Sequence, residues 1–441
     1  MGAQKNNKEM AKIASASFIG SLMEWYDFTL YGTMAALVFD KLFFPSDHHT
    51  VGLLLSFATF AVGFLTRPLG GAIFGHFGDR IGRKRLLIIT MYIMGGATFL
   101  IGIIPTYESI GITAPILLIL LRIIQGFGIG GEYGGASLMT IEHAPRNKRG
   151  FWGSIPQASN SAGLLVGTGV ISLFLLLPDG QFMAWGWRIP FLLSGVLFII
   201  GIIIRRNMDE TPAFKEMKED GDKKDSKKEL PIITLFRHYW KSILITLGAR
   251  FGEGMSSNIF NAFAIAYVTT QLGLSEGMMT TGIFIASAVN IVCIPFFGAL
   301  SDRIGRKPVY MSGAIFVVLF AFPFFWLLNT QVTGLIYLAL ILSFVLGPTL
   351  MFSVQSVFFT ELFGTQVRYS GISLAYQLSS IAGGLTPLIA TALLSAGKGD
   401  PWLVSLFLVV VGVISIVSIY LASETFKNDV SEQEINRLKK T

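Results

Sequence analysis

The stretch "SFIGSLMEWYDFTLYG", Ser17–Gly32, places two carboxylates, Glu24 and Asp27, inside a long apolar run. A charged side chain in the middle of a membrane span costs about 2.5–3.5 kcal/mol on insertion scales, so it normally faces other protein groups and has a partner there. The candidates are few: Arg122 and Glu132 in one further apolar run, Arg250 and Glu253 in another. Glu24 and Asp27 are three residues apart and so occupy neighbouring parts of one helix face. Beside an arginine an aspartate stays ionised; without it, burial favours the protonated form. A substrate carboxylate that captured Arg122 would free Asp27 to take a proton, and linkage would make proton and anion favour each other's binding. The plainer alternative is a static ion pair that only fixes helix packing. Glu24 is a second candidate proton acceptor. Glu132, in "GIGGEYGG", lies ten residues after Arg122, about 15 Å along a helix. It reads equally as a second proton relay group or as a hydrogen bonder in a seam of small residues.

A second polar stripe lies in "GARFGEGMSSNIFNAF", where Arg250, Gly254, Asn258 and Asn261 recur at helical spacing. Such a stripe inside an apolar span is expected to face a cavity. Asn amides bind hydroxyls or carboxylates, and Arg250 can clamp an anion. The alternative is a local Arg250–Glu253 pair near one membrane face. Gln157 and Asn160, with Tyr376 and Gln377, are further cavity candidates. Tyr31, Tyr26, Tyr267 and Trp25 are candidates to line a path, although an aromatic residue in a span more often packs.

The elements that must position these groups are membrane spans. The 441 residues are 52% hydrophobic and only 14% charged, with 37 Phe and 48 Gly. Mean hydropathy is +0.62. A soluble chain carries roughly a quarter charged residues. Twelve runs reach the length a span needs: Ile13–Phe39, Val51–Phe74, Leu86–Pro105, Ala114–Ile141, Phe151–Leu177, Arg188–Arg205, Trp240–Gln271, Met278–Leu300, Pro308–Leu328, Gly334–Phe359, Gly371–Ser395 and Pro401–Ala422. The expected architecture is all-α and polytopic, in two six-helix bundles. The bundles are residues 1–206 and 239–423, joined by a polar linker, 207–238, and followed by a tail, 424–441. The first run is too long for a signal-peptide core and is expected to stay as an uncleaved span.

The net charge is +7, and the basic residues concentrate in alternate short loops: Arg80, Arg83, Lys84 and Arg85; Arg146, Lys148 and Arg149; Arg303, Arg306 and Lys307; Arg368. The positive-inside rule makes that side cytoplasmic, and an even number of spans puts both termini there. It also explains the basic charge without nucleic acid. The halves repeat. "FGHFGDRIGRKR" (Phe74–Arg85) returns as "FGALSDRIGRKP" (Phe297–Pro308), and "EHAPRNKRG" (Glu142–Gly150) as "ELFGTQVRYSG" (Glu361–Gly371), each about 220 residues later. In these loops Asp79–Arg83 and Asp302–Arg306, with Glu142, Arg149, Glu361 and Arg368, read as a conformational latch rather than substrate ligands. Basic loops that serve topology alone are the bland reading.

The doubled G-x-x-x-D-R-x-G-R-K motif, Gly75–Lys84 and Gly298–Lys307, resembles that of the major facilitator superfamily. "MEWYDF", "RPLGGAIFGHFGDRIGRK", "RIIQGFGIGGEYGGA", "WGWRIPF" and "ETPAF" (Glu210–Phe214) further resemble the metabolite:proton symporters, which carry shikimate, oxoglutarate, citrate, proline or betaine. A more distant likeness is to the sugar porters, through an acid in span one, an arginine in span four and Glu142, Pro145, Arg149 and Gly150. That likeness implies a proton-linked Asp27–Arg122 pair and places Gln157 at a pocket glutamine. Span seven lacks the sugar porters' glutamine pair, which argues against a sugar.

The resemblance implies a secondary carrier in a bacterial plasma membrane, importing a small organic acid with protons by alternating access. A proton-linked proline or betaine carrier is the nearest rival. A drug antiporter or a non-transporting receptor lies further off. No P-loop, nucleophile–base constellation or metal spacing is present in the sequence, so neither an enzyme nor a cofactor or metal is expected. The expected partners are a small-molecule substrate, protons and the lipid bilayer; the working unit is expected to be a monomer.

Overall fold

The computed structural model describes residues 7–45, 49–216 and 231–426, and these are helical with no strand among them. Twelve long elements follow in chain order. They are α1 (Asn7–Met34, extended by a π-helical turn Ala35–Phe39), α2 (His49–Ile81), α3 (Arg83–Ile103), α4 (Thr113–His143), α5 (Arg149–Phe174) and α6 (Arg188–Arg206). After the short helix Pro231–His238 come α7 (Trp240–Asn258, then a π-helical turn Ile259–Phe263 and Ala264–Thr270), α8 (Glu276–Ile304) and α9 (Arg306–Asn329). The last are α10 (Thr333–Leu346 and Pro348–Leu362), α11 (Arg368–Ala396) and α12 (Trp402–Leu421). Residues 217–230 of the expected linker and 427–441 of the expected tail lie outside the described residues.

By length and composition, eight helices among the described residues can cross a membrane, or nine if a bent pair that includes α5 is one span. Elements outside that set include α1, which carries Glu24 and Asp27, and α7, which carries Arg250 and Glu253 and is interrupted by the π turn. The break in α10 falls at Gly347–Pro348, where proline offers no N–H to the preceding turn. The outside of the molecule is apolar: Leu65, Val292, Leu319 and Leu388 are each more than three-fifths exposed. Water would leave such a surface uncovered, whereas acyl chains cover it. The chain is a multi-pass membrane protein.

The helices run past their apolar stretches at the basic-loop end. α2 was expected to stop near Phe74 but continues to Ile81, because the polar motif residues stay helical beyond the apolar layer. A single glycine then turns the chain into the next helix in each repeat. Gly82 has φ of +121° and Gly305 +106°, a region in which only glycine is unstrained.

Candidate functional site

Asp27 is almost wholly buried on α1. Thr98 of α3 donates its hydroxyl to Asp27 Oδ2 at 2.6 Å, and Gln125 of α4 donates from Nε2 to the same oxygen at 3.4 Å. Gln125 Nε2 also donates to Thr98 Oγ1 at 2.7 Å. Arg122 donates from Nη1 to Gln125 Oε1 at 2.5 Å. The expected Asp27–Arg122 contact is therefore not direct; one amide stands between the two charges. The physical reason is helical spacing: Gln125 lies one turn after Arg122 on α4, in the space between that guanidinium and the carboxylate. Arg122 is 1% exposed, with its guanidinium 4.2 Å from the Tyr31 ring centre and 5.1 Å from that of Phe60. Tyr31, held by a 2.7 Å hydrogen bond to Thr59, covers one face of the Arg122 guanidinium.

Two further acid–arginine pairs lie at the centre. Glu24 is 3.7 Å from Arg67 of α2, a residue that sequence reasoning passed over although it stands in the apolar run "GFLTRPLGG". Its guanidinium also lies 4.5 Å from the Phe64 ring centre. Glu253 pairs with Arg250 on α7, and Arg250 lies 4.4 Å from the Tyr376 ring centre. Tyr376 stacks on Tyr133 of α4, ring centres 3.6 Å apart. From there a polar chain crosses between the halves. Gln157 donates to the Tyr133 hydroxyl at 3.0 Å, and Tyr133 donates to Gln355 Oε1 at 3.3 Å. Gln355 then donates to Glu253 at 3.2 Å and to the Tyr310 hydroxyl at 3.2 Å.

So Gln157, Arg250, Glu253 and Tyr376 are brought together, with Tyr133 and Gln355 as members that the sequence did not single out. Asn258 and Asn261 are half-buried. Asn258 turns its amide back to the Gly254 carbonyl at 2.8 Å, and Asn261 sits in the π turn. A π turn re-registers the helix after it and often marks a functional segment.

Glu132 lies near enough to Glu24 to act on it electrostatically, but its bonds go elsewhere. Both its carboxylate oxygens face the guanidinium of Arg205 on α6, and Thr90 donates to Oε2 at 3.3 Å. Arg205 closes the arrangement by donating to the Leu87 carbonyl at 2.9 Å. A bidentate, fully bonded carboxylate inside one bundle is suited to tying α3, α4 and α6 together.

At the basic-loop end, acids cap helices of the opposite half. Asp79 accepts from the N–H groups of Tyr369 (3.1 Å) and Ser370 (2.9 Å) and from the Ser370 hydroxyl (2.8 Å), so it caps α11. Asp302 accepts from Gly150 and Phe151, both at 2.8 Å, and caps α5. Carboxylates are favoured there because the first-turn N–H groups lack helical partners. A second pair of acids, one just beyond each bundle, caps the helix that follows each glycine turn. Glu210 accepts from Arg83 N (3.1 Å) and Lys84 N (3.2 Å), and Glu424 from Arg306 N (3.1 Å) and Lys307 N (3.0 Å).

Of the expected latch pairs, Asp302–Arg306 is present at 2.7 Å. Asp79 and Arg83 face each other electrostatically as expected, though not as a direct ion pair. Asp79 gives its oxygens to the α11 start, and Arg83 pairs with Glu142. Glu142 also accepts from Arg368 at 2.8 Å, joining the halves. Glu361 lies 3.6 Å from Arg306. Arg149, half-buried, faces Glu361 electrostatically.

The family description "Major Facilitator Superfamily" matches residues 17–387 and 246–437. The chain is 42% identical over 417 residues to the shikimate transporter of Escherichia coli K12, covering 94% of each. It is 36% identical over 427 residues to the proline/betaine transporter of the same organism, covering 95% of this chain and 84% of that one. A solved structure of the proton:xylose symporter XylE, bound to 6-bromo-6-deoxy-D-glucose, superposes with a TM-score of 0.79 at 16% identity, over 98% of this chain and 100% of that one. That likeness is one of fold. With a family profile across nearly its whole length and relatives above 30% identity over most of theirs, this chain belongs to the major facilitator superfamily.

Proposed function

We propose that this transporter is a proton-coupled symporter that imports a small organic acid across a bacterial plasma membrane by alternating access. The observation that carries this reading is the buried Asp27, joined to Arg122 only through neutral side chains. Three arginines and three carboxylates (Arg67, Arg122, Arg250, Glu24, Asp27 and Glu253) balance at the centre when all are ionised. One proton on Asp27 leaves one positive charge uncompensated, which suits one monoanion. Arg250, Glu253, Tyr376 and Gln157 would form the substrate-facing wall with Asn258 and Asn261, and Arg67 joins them. In this reading residues 1–206 and 239–423 move as two bundles, the basic-loop end and both termini are cytoplasmic, and the caps and ion pairs there hold that end closed. The carrier works as a monomer.

The relatives named for shikimate and for proline and betaine support carriage of a small carboxylate and leave two classes open. The second class has a specific support. Trp25, Phe28, Phe60 and Phe64 form a half-buried aromatic cluster with ring centres 5.2–5.8 Å apart, and such faces attract a quaternary ammonium.

The deciding experiment is uptake into proteoliposomes of shikimate, oxoglutarate, citrate, lactate, glucose, proline and betaine, with and without an inward proton gradient. Gradient-driven uptake of one organic acid, lost in Asp27→Asn, is the expected outcome. Uptake of proline or betaine alone would assign the osmolyte class. Accumulation unaffected by the gradient would overturn symport.

A further inference from the structure

The bonds around Asp27 have a direction. Arg122 Nη1 donates to Gln125 Oε1 at 2.5 Å, Gln125 Nε2 donates to Thr98 Oγ1 at 2.7 Å, and Thr98 donates to Asp27 Oδ2 at 2.6 Å. The orientation of the amide follows from chemistry, since a guanidinium only donates and must face the amide oxygen. Three successive bonds thus run from cation to anion, and bonds aligned in this way polarise one another. Thr98 has one hydroxyl hydrogen but two acceptors within reach, the second being the Met94 carbonyl at 3.0 Å. Asp27 Oδ1 is buried with no hydrogen-bond partner.

We propose that Gln125 and Thr98 form a switchable relay that ties the state of Arg122 to the protonation of Asp27. With Asp27 ionised, Thr98 donates to it and the chain runs unbroken from Arg122. When a proton arrives on Oδ2, Asp27 becomes the donor. Thr98 then turns its hydrogen to the Met94 carbonyl and accepts from both Asp27 and Gln125. No heavy atom has to move, and every hydrogen in the chain keeps an acceptor in both states. The titratable and charged groups facing Asp27 among the described residues are Glu24 and Tyr26 on its own helix and Arg122 from α4; Thr98 is what α3 presents to it. Arg122 in turn packs on Phe60, a wall of the aromatic cluster, so a ligand that displaces Phe60 changes the head of the relay. Gln125 and Thr98 are positioning residues, and their role rests on Asp27 being the proton acceptor proposed above.

The test needs no substrate. In purified, reconstituted protein, the carboxylic-acid carbonyl stretch that disappears in Asp27→Asn is followed by infrared spectroscopy as pH is varied. Thr98→Val removes the donor to the carboxylate and keeps the shape. It is expected to hold the proton to higher pH by about one unit, tenfold in proton affinity, the size of one charge-assisted hydrogen bond. Thr98→Ser is expected to restore the wild-type midpoint. Gln125→Leu is expected to shift it in the same direction. Because Gln125 acts chiefly through Thr98, its direct bond to Asp27 Oδ2 being the longer at 3.4 Å, the double variant is expected to shift by less than the sum of the single ones. An unchanged midpoint in Thr98→Val, or strictly additive shifts, would overturn the relay while leaving Asp27 as the acceptor. If Asp27→Asn removes no titrating band, the acceptor assignment itself fails, and the relay with it. Thermal melting of each variant separates these outcomes from loss of the fold.

Discussion

At the scale of single residues, the buried charges divide by how completely they are bonded. Glu132 has both oxygens on Arg205 and a third bond from Thr90, whereas Asp27 keeps one oxygen without a partner. The first arrangement is costly to break and the second is ready to change. Glu132→Gln is expected to lower stability by about 3–5 kcal/mol, because Arg205 would stay buried without its counter-charge. The joint change Glu132→Leu with Arg205→Met is expected to recover most of that loss. Melting of the purified variants in detergent checks both. A Glu132→Gln protein of wild-type stability that loses only gradient-driven uptake would instead make Glu132 a relay group. On the substrate side, Arg250→Leu is expected to abolish uptake of an acidic substrate while leaving the fold intact only if Glu253→Leu accompanies it, since Glu253 depends on that arginine. Uptake by each variant against its melting temperature is the measurement.

At the scale of elements, the two glycine turns are the most demanding positions. Gly82 and Gly305 adopt positive φ, and a Cβ would run into the Glu210 carboxylate in the first and lie 2.7 Å from that of Glu424 in the second. The carboxylates that cap α3 and α9 therefore sit where a side chain would be. Gly305→Ala is expected to cost about 1–3 kcal/mol in local strain and to loosen the Glu424 cap; Gly82→Ala is expected to do the same at Glu210. Amide exchange at the starts of α9 and α3 reads these effects separately. If exchange there is unchanged in both variants, the caps do not depend on the glycine turns.

At the scale of the whole molecule, the basic-loop end is held by reciprocal caps: an acid of the first half on α11 and an acid of the second half on α5. In the alternating-access reading proposed above, this two-fold exchange would make the end either closed with all caps made or open with all released, a two-state element. With Cys293 replaced by Ser, spin labels at Asn147 and Arg303, both exposed at this end, report its opening. Asp302→Asn is near-isosteric, but it removes the charge at the α5 start and turns one of the two accepting oxygens into an NH2 donor facing an N–H. It is expected to shift the distance distribution toward longer separations, and Asp79→Asn with Asp302→Asn to shift it further. Distributions identical to the parent in both variants would reduce these caps to helix stabilisers.

What the amino-acid sequence determined by itself was the layout: apolar runs of spanning length, basic residues gathered in alternate loops, and a loop motif repeated after half the chain. These are local properties, set by transfer free energy, charge and the backbone needs of glycine, so they are legible one segment at a time. It also marked Glu24, Asp27, Arg122, Arg250 and Glu253 as groups that need partners. Which partners they took was decided by tertiary structure. Gln125 stands between Asp27 and Arg122, Arg67 pairs with Glu24, and Arg205 with Glu132. Arg83 faces the expected Asp79 but makes its direct ion pair with Glu142. Arg205 gave little signal because it sits at the end of an apolar run, where a basic residue normally marks a loop. Glu210 and Glu424 carry no repeat longer than Glu-Thr, yet each caps a helix more than a hundred residues away in sequence. Pairing between helices depends on rotation and depth, and a sequence states neither.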